Sequence, residues 1–304
     1  MTAPQASRWE DLDRPPLRVQ ALRRVLVAPT GPLGRLDVVE QIGSTNAALA
    51  LAGAQGEQEW PDWSVLVAEH QQAGRGRLGR GWDTPARSAL TFSVLLRPRE
   101  VPLAGWSWLP LLAGVAVVRA LRTTAGVPAG LKWPNDVLVP ADRATSTGQG
   151  SGVHGARKVA GILAEVVPGQ EAAAVLGIGL NVTSSLAELP VGSATSLRLC
   201  GSASTDRDTL LRAVLRELVE QVGAWRDASG DAVGCGLAAA ARELCLTLGL
   251  QVRVEMPGRP ALLGTAEGID DDGRLLVRTG DAELVPVAAG DVLHVRDAAA
   301  GQAQ

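Results

Sequence analysis

The chain has 304 residues, 46% apolar and 20% charged, enough for a buried core and, at about 150 residues per domain, for about two domains. Lys and Arg number 29 against 32 Asp and Glu, a formal net charge of −3 that argues against a surface built to neutralise many phosphates, so no DNA partner is expected. The longest apolar run, residues 109–118, falls well short of the ~20 residues of a spanning helix. The N-terminus lacks the basic, apolar and small-residue succession of a signal peptide. No membrane is expected, and the cytoplasm is the expected location.

In chain order, residues 1–35 are Pro-rich and read as a tail with one short amphipathic helix over 17–27. Residues 36–42 form a strand candidate, Gly43 turns the chain, and Ser44 or Thr45 caps a helix running through Leu51. Residues 65–68, 89–96, 137–139, 159–167 and 172–180 read as strands, several too continuously apolar to be half exposed. Residues 108–123 are rich in Leu, Ala and Val and stop before Gly126 and Pro128, as a helix would. A second helix is expected over 205–225, with Leu211, Val214, Leu215, Leu218, Val222 and Trp225 on one face. Residues 141–157 are Gly, Ser and Thr rich and read as a surface insertion. Beyond Leu248, short alternating stretches separated by Pro257-Gly258, Asp272-Gly273 and Gly280-Asp281 fit a small closed barrel of antiparallel strands.

Cys200, Cys235 and Cys245 form no CxxC pair, and His70, His154 and His294 are scattered, so neither a disulfide framework nor a structural metal site is expected. All but two of the basic residues are Arg. The exceptions, Lys132 and Lys158, stand where a compact ammonium is wanted in place of a planar fork.

Residues 70–85, HQQAGRGRLGRGWDTP, contain a literal GxGxxG at Gly74, Gly76 and Gly79. The dinucleotide reading fails on context: residues 80–85 make a poor helix start, and Arg75 and Arg77 stand where bare backbone must approach a pyrophosphate. Arg75, Arg77 and Arg80 on a pliable backbone, with Trp82 behind them, instead fit either a lid that orders around polyanions or a nucleic-acid segment of the Arg-Gly type. In LKWPNDVL, residues 131–138, Pro134 stiffens a turn that presents Asn135 beside Asp136. In KVAGILAE, residues 158–165, Gly161 permits close approach to a strand. GIGLNV, residues 177–182, repeats that device and presents Asn181 at a strand end.

These segments, in this order and with GSTN at residues 43–46 ahead of them, resemble the biotin protein ligase family from about Leu36 to Arg296. The resemblance implies an α+β fold: a mixed β-sheet catalytic domain of the class II aminoacyl-tRNA synthetase/biotin ligase type over 36–245, and a C-terminal SH3-like β-barrel over 246–297. It implies attack of biotin's carboxylate on the α-phosphate of ATP to give biotinyl-5′-AMP, then transfer of biotin to a lysine of the biotin carboxyl carrier domain of a biotin-dependent carboxylase. By motif matching, Ser44, Thr45, Asn46, Gln71, Arg75, Gly76, Arg77, Lys158 and Gly161 fall in the biotin pocket, with Lys158 and Arg77 at the reacting carboxylate. Arg80, Trp82, Lys132, Asn135, Asp136 and Asn181 fall on the ATP side, Asp136 being a candidate ligand for Mg2+. Only 43 residues precede Ser44, too few for the winged helix-turn-helix of family members that repress transcription, so the monofunctional type is expected. A biotin-responsive or nucleic-acid binding module and a lipoate or octanoate ligase are the alternatives.

Overall fold

The computed structural model describes residues 13–140, 155–167, 172–256 and 258–294. The expected insertion therefore lies, over 141–154, outside the described residues, as do residues 1–12 and 295–304.

A short helix α1 (Val19–Leu26) leads to β1 (Arg35–Val39), α2 (Thr45–Ala54) and β2 (Ser64–Ala68). Two two-residue strands follow, β3 (Gly74–Arg75) and β4 (Gly81–Trp82), then β5 (Ala89–Leu96), α3 (Leu109–Ala120), β6 (Gly130–Lys132), β7 (Asp136–Val139), β8 (Arg157–Val167) and β9 (Ala173–Asn181). Seven strands make one sheet in the order β1-β2-β5-β9-β8-β7-β6. It is mixed because β1 runs parallel to β2 while the other neighbours run antiparallel.

Each continuously apolar strand alternates between two buried faces. Leu90, Phe92, Val94 and Leu96 of β5 and Ala174, Leu176, Ile178 and Leu180 of β9 enter the main core with α3 and α4 (Arg207–Asp227). Leu95, Val167, Ala173 and Val175 meet Leu49 of α2 on the opposite face. Covering both faces is what permits such unbroken apolar runs.

The helices differ from expectation at their ends. α3 is preceded by a 3-10 stretch, Leu103–Trp108, and followed by a π turn, Leu121–Ala125, that closes at Gly126 in the left-handed region. The whole stretch Leu103–Ala125 is long and apolar enough to cross a membrane by composition, yet 67% of its apolar window is buried inside the fold, as befits a core helix. The cap of α4 is Asp206, whose side chain accepts from the N–H groups of Asp208 and Thr209. A further helix, α5 (Leu237–Leu244), carries no side-chain cap and was not expected. The described part of the N-terminal segment is not a loose tail, since the Leu17 N–H donates to buried Glu69 and buried Arg207 donates to the Pro15 carbonyl.

Strands β10 (Gln251–Glu255), β11 (Leu262–Ile269), β12 (Leu275–Arg278), β13 (Leu284–Val287) and β14 (Asp291–His294) form a second, antiparallel sheet in the order β13-β12-β11-β10-β14. The antiparallel strands expected there are present, and among the described residues no backbone ladder joins β13 to β14 across the seam. Its turn at Asp270–Arg274 docks on the large sheet's domain, where the indole N–H of Trp108 donates to the Asp271 carbonyl at 2.9 Å and that of Trp133 to the Gly273 carbonyl at 3.0 Å. The apolar faces of both sheets belong to one contiguous core.

Candidate active site

The α2-facing side of the large sheet changes character along its rungs. Glu165 pairs with Val175 and Leu95 beneath α2; the next rung is Leu163, Gly177 and Ser93, and the one after is Gly161, Gly179 and Thr91. Glycine and small hydroxyl side chains thus replace bulk where α2 ends, and a cavity of about 890 Å³ opens above them. All the site residues expected from sequence line it, from Ser44, Thr45, Asn46 and Gln71 at one end to Lys132, Asn135, Asp136 and Lys158 at the other.

The first end is polar and uncharged at its surface. Ser44 caps α2, accepting from Ala47 N–H, and so presents Thr45 and Asn46 at the helix start. Gln71 Oε1 accepts from both the Thr45 N–H (2.8 Å) and the Thr45 hydroxyl (2.9 Å). Ser93 Oγ lies 2.6 Å from Asn46 Oδ1 and 2.8 Å from Thr45 Oγ1, and all of these side chains are buried. Gly177 is required here, because a Cβ on it would stand 2.1 Å from Asn46 Oδ1.

The Arg-Gly segment folds as a flap, the β3–β4 hairpin, with Gly74 opposite Trp82 and Leu78 and Gly79 at positive φ in its tip. The flap lays the Trp82 indole on Gly161 and Gly179: a Cβ at Gly179 would meet Trp82 Cε2 at 2.4 Å. The bare strands therefore form a bed for an aromatic face, and the buried Trp82 Nε1 has no hydrogen-bond partner among the described residues. Gly179→Ala must lift the indole from this bed. The expected result is a shifted tryptophan emission with stability little changed, and, on the expectation from sequence that Trp82 lies on the ATP side, about tenfold weaker ATP binding; an unaltered ATP titration would overturn that expectation.

The second end is charged. Lys158 Nζ forms an ion pair with Asp136 Oδ1 at 2.7 Å and stands 5.6 Å from the Trp82 ring centre. Arg77 donates to Asn135 Oδ1 at 3.2 Å, while Asn135 is clamped to Ile162 through its Nδ2 (2.8 Å) and its backbone carbonyl (2.9 Å). Burial lowers the pKa of Arg77 and of Lys132, and Asp136 and Asp291 oppose that in both cases. Such partly dehydrated cations gain from an incoming anion. Asn181, also buried and on the cavity wall, donates its amide to the Thr195 carbonyl at 3.0 Å and so ties the end of β9 to the 190–195 loop.

Sequence reasoning missed Ser93, Glu165, Asp291 and His294. Glu165 had a signal, being the lone acid in an otherwise apolar strand stretch. Asp291 and His294 come from the second sheet and had none. Arg80 of the flap pairs with Asp291 at 3.0 Å, so that sheet helps to wall the cavity. The half-buried imidazole of His294 has its pKa pushed down from 6.5 to about 4, first by burial and then by Lys132. Because the folded form disfavours the proton, His294 contributes stability that is complete above about pH 6.5 and is lost as pH falls toward 4. In urea titrations across this window, His294→Gln should flatten the decline; an unchanged slope would place the acid sensitivity elsewhere.

Residues 38–182 match the model of the Biotin/lipoate A/B protein ligase family, and residues 247–295 match that of the Biotin protein ligase C terminal domain. The chain is 43% identical over 286 residues to a biotin--[acetyl-CoA-carboxylase] ligase of Mycobacterium tuberculosis, covering 93% of this chain and 97% of that one. It is 33% identical to the enzyme of the same name from Paracoccus denitrificans, over 81% and 95% of the two chains. Among solved structures, a biotin protein ligase from Aquifex aeolicus in complex with biotin and ATP superposes with a TM-score of 0.66 at 28% identity, over 87% of this chain and all of that one.

Proposed function

This chain belongs to the biotin protein ligase family, and from that footing we propose how its residues divide the work of an ATP-dependent, AMP-forming biotin ligase. The observation that carries the assignment is the polarity of the cavity, hydrogen-bonding and uncharged beside α2, cationic beside Lys158 and the flap. Biotin has the matching polarity, a neutral ureido ring at one end and a carboxylate at the other. ATP is the second substrate, as in the Aquifex complex.

Biotin's carboxylate and the α-phosphate of ATP are both anionic, and their approach is unfavourable until cations share the charge. Lys158, with Asp136 holding its ammonium, and Arg77, held by Asn135, stand where the two meet. The carboxylate oxygen attacks the α-phosphorus and pyrophosphate leaves. The amine of the acceptor lysine, in its neutral form, then attacks the carbonyl of the mixed anhydride and AMP leaves. Trp82 offers its face to adenine, while Lys132 and Arg80 face the polyphosphate. The flap residues Arg75, Gly76 and Arg77 shield the water-sensitive anhydride until the acceptor arrives. Ser44, Thr45, Asn46 and Gln71 take the ureido end, and Gly161 leaves the space beside Lys158.

No group of three or more acidic, His or Cys side chains among the described residues forms a metal cage. Asp136, on the cavity wall beside Lys158, is the residue that would hold Mg2+ arriving with ATP, where the ion would share the phosphate charge. The proposed acceptor is the carboxyl carrier domain of a biotin-dependent carboxylase, which the acetyl-CoA-carboxylase in the names of both relatives supports, and the proposed location is the cytoplasm. Residues 36–245 would form the catalytic domain and 246–297 the C-terminal one.

The test is biotin-dependent exchange of pyrophosphate into ATP, with mass spectrometry of retained biotinyl-5′-AMP and its transfer to a carrier fragment. A protein that binds both substrates yet forms no adenylate defeats the proposal.

A further inference from the structure

We infer that Glu165 is a positioning residue that fixes the hydrogen-bonding direction of the cavity's uncharged end, and so selects a ureido ring over a plain acyl chain. The inference rests on the reading that this cavity takes biotin.

Glu165 faces the α2 side of the sheet, one rung from Gly177, and its Oε2 accepts from Asn46 Nδ2 at 2.7 Å. Asn46 Nδ2 also donates to the Leu163 carbonyl at 3.2 Å. A carboxylate and a backbone carbonyl can only accept, so the Asn46 amide can stand only one way, with Oδ1 turned to Ser93. Oδ1 in turn can only accept, which directs the single Ser93 proton toward it across 2.6 Å. The Ser93 hydroxyl then has no proton for Thr45 Oγ1, whose lone pairs remain free to accept from a ligand. Gln71 completes the pattern: its Oε1 is committed to Thr45, so its Nε2 is the donor left over. One acceptor and one donor side by side match the N–H and C=O of a cyclic urea.

Without the carboxylate, Asn46 keeps one weak reason for its orientation, the 3.2 Å contact to Leu163. A reversed amide would donate to Ser93, whose proton would then turn to Thr45 and occupy the lone pair that the urea needs. An alkyl chain is indifferent to this reversal. The negative charge has a second consequence. It sits at the far end of β8 from Lys158, and so opposes a carboxylic acid bound back to front.

Glu165→Ala should raise the KM for biotin about tenfold in pyrophosphate exchange and leave the KM for ATP within about twofold. Octanoate, added as a competitor of biotin, should inhibit the variant and the native enzyme equally, so that discrimination falls by the same factor. Glu165→Gln, which can still accept from Asn46, should recover to within about threefold. If thermal melting shows Glu165→Ala to be poorly folded, Asn46→Ala carries the same test, since without the Oδ1 acceptor the Ser93 proton turns to Thr45 and the same selective loss should appear. Three outcomes overturn the inference: a biotin KM within twofold of native, an equal loss for biotin, octanoate and ATP, or a glutamine variant as poor as the alanine one. A native enzyme with no biotin-dependent exchange overturns the ligase reading first; native exchange beside an indifferent Glu165→Ala defeats this inference alone.

Discussion

Lys158→Ala lowers the rate of biotin-dependent pyrophosphate exchange by about 10²–10³-fold, the scale of removing one preorganised charge from a developing transition state. The side chain is one-third exposed and its partner Asp136 less so, and an ion pair this close to solvent contributes at most about 1 kcal/mol to folding. The loss should therefore appear in the chemical step with the urea midpoint almost unmoved. Lys158→Arg separates charge from shape. Nζ stands 3.0 Å from where a Gly161 Cβ would be and lies over the Trp82 ring, 5.6 Å from its centre, so the space suits a compact ammonium and not a planar fork. The arginine variant should recover less than a tenth of the native rate. Exchange at the native rate in Lys158→Ala would remove this residue from the reaction and leave Arg77 as the principal cation.

The two lysines of an arginine-biased chain both line the cavity, which shows how much of the charged end was legible. Residue type alone marked it, because positive charge near an anion is needed whatever the local backbone does. The glycines of GIGLNV were legible as places of close approach but not as to what approaches. Gly177 makes room for Asn46, and Gly179 for Trp82 from a flap nearly a hundred residues earlier. Ser93 was hidden in its strand, and Glu165, though visible as the lone acid of its stretch, did not show which face it takes. Each sits in an apolar run, and only the pairing of β5, β9 and β8 shows that its face looks onto the end of α2. The second sheet's strands were readable from their turns, but its loan of Asp291 to Arg80 is a tertiary fact. The α5 helix escaped because eight residues with no capping side chain give little periodic signal.

The largest effect on stability should come from a pair with no part in the chemistry. Glu69 and Arg207 are 7% and 6% exposed, and Arg207 Nη1 lies 2.5 Å from Glu69 Oε2. Glu69 Oε1 accepts from Leu17 N–H at 2.7 Å, and Arg207 Nη2 donates to the Pro15 carbonyl at 2.7 Å. Each charge is thus paired and further hydrogen-bonded, the condition under which burial of an ion pair is tolerable. Arg207→Met strands the carboxylate with one backbone donor and should cost about 3–5 kcal/mol, as should Glu69→Leu through the opposite charge. Removing both together should cost much less than the sum, because no unpaired charge then remains inside. Truncation through residue 18 takes away Leu17 N–H and Pro15 C=O while leaving the ion pair, so its loss should be smaller than that of either single variant. Urea unfolding of the four proteins distinguishes these cases. Single variants that cost under about 1 kcal/mol, or a double variant whose loss equals the sum, would show that this pair is wet and does not pin the N-terminal segment to α4. The same pin bears on the site. Glu69 stands two residues before Gln71, and its carbonyl accepts from Arg87 N–H at 2.7 Å, so loosening it should raise the KM for biotin before the protein unfolds.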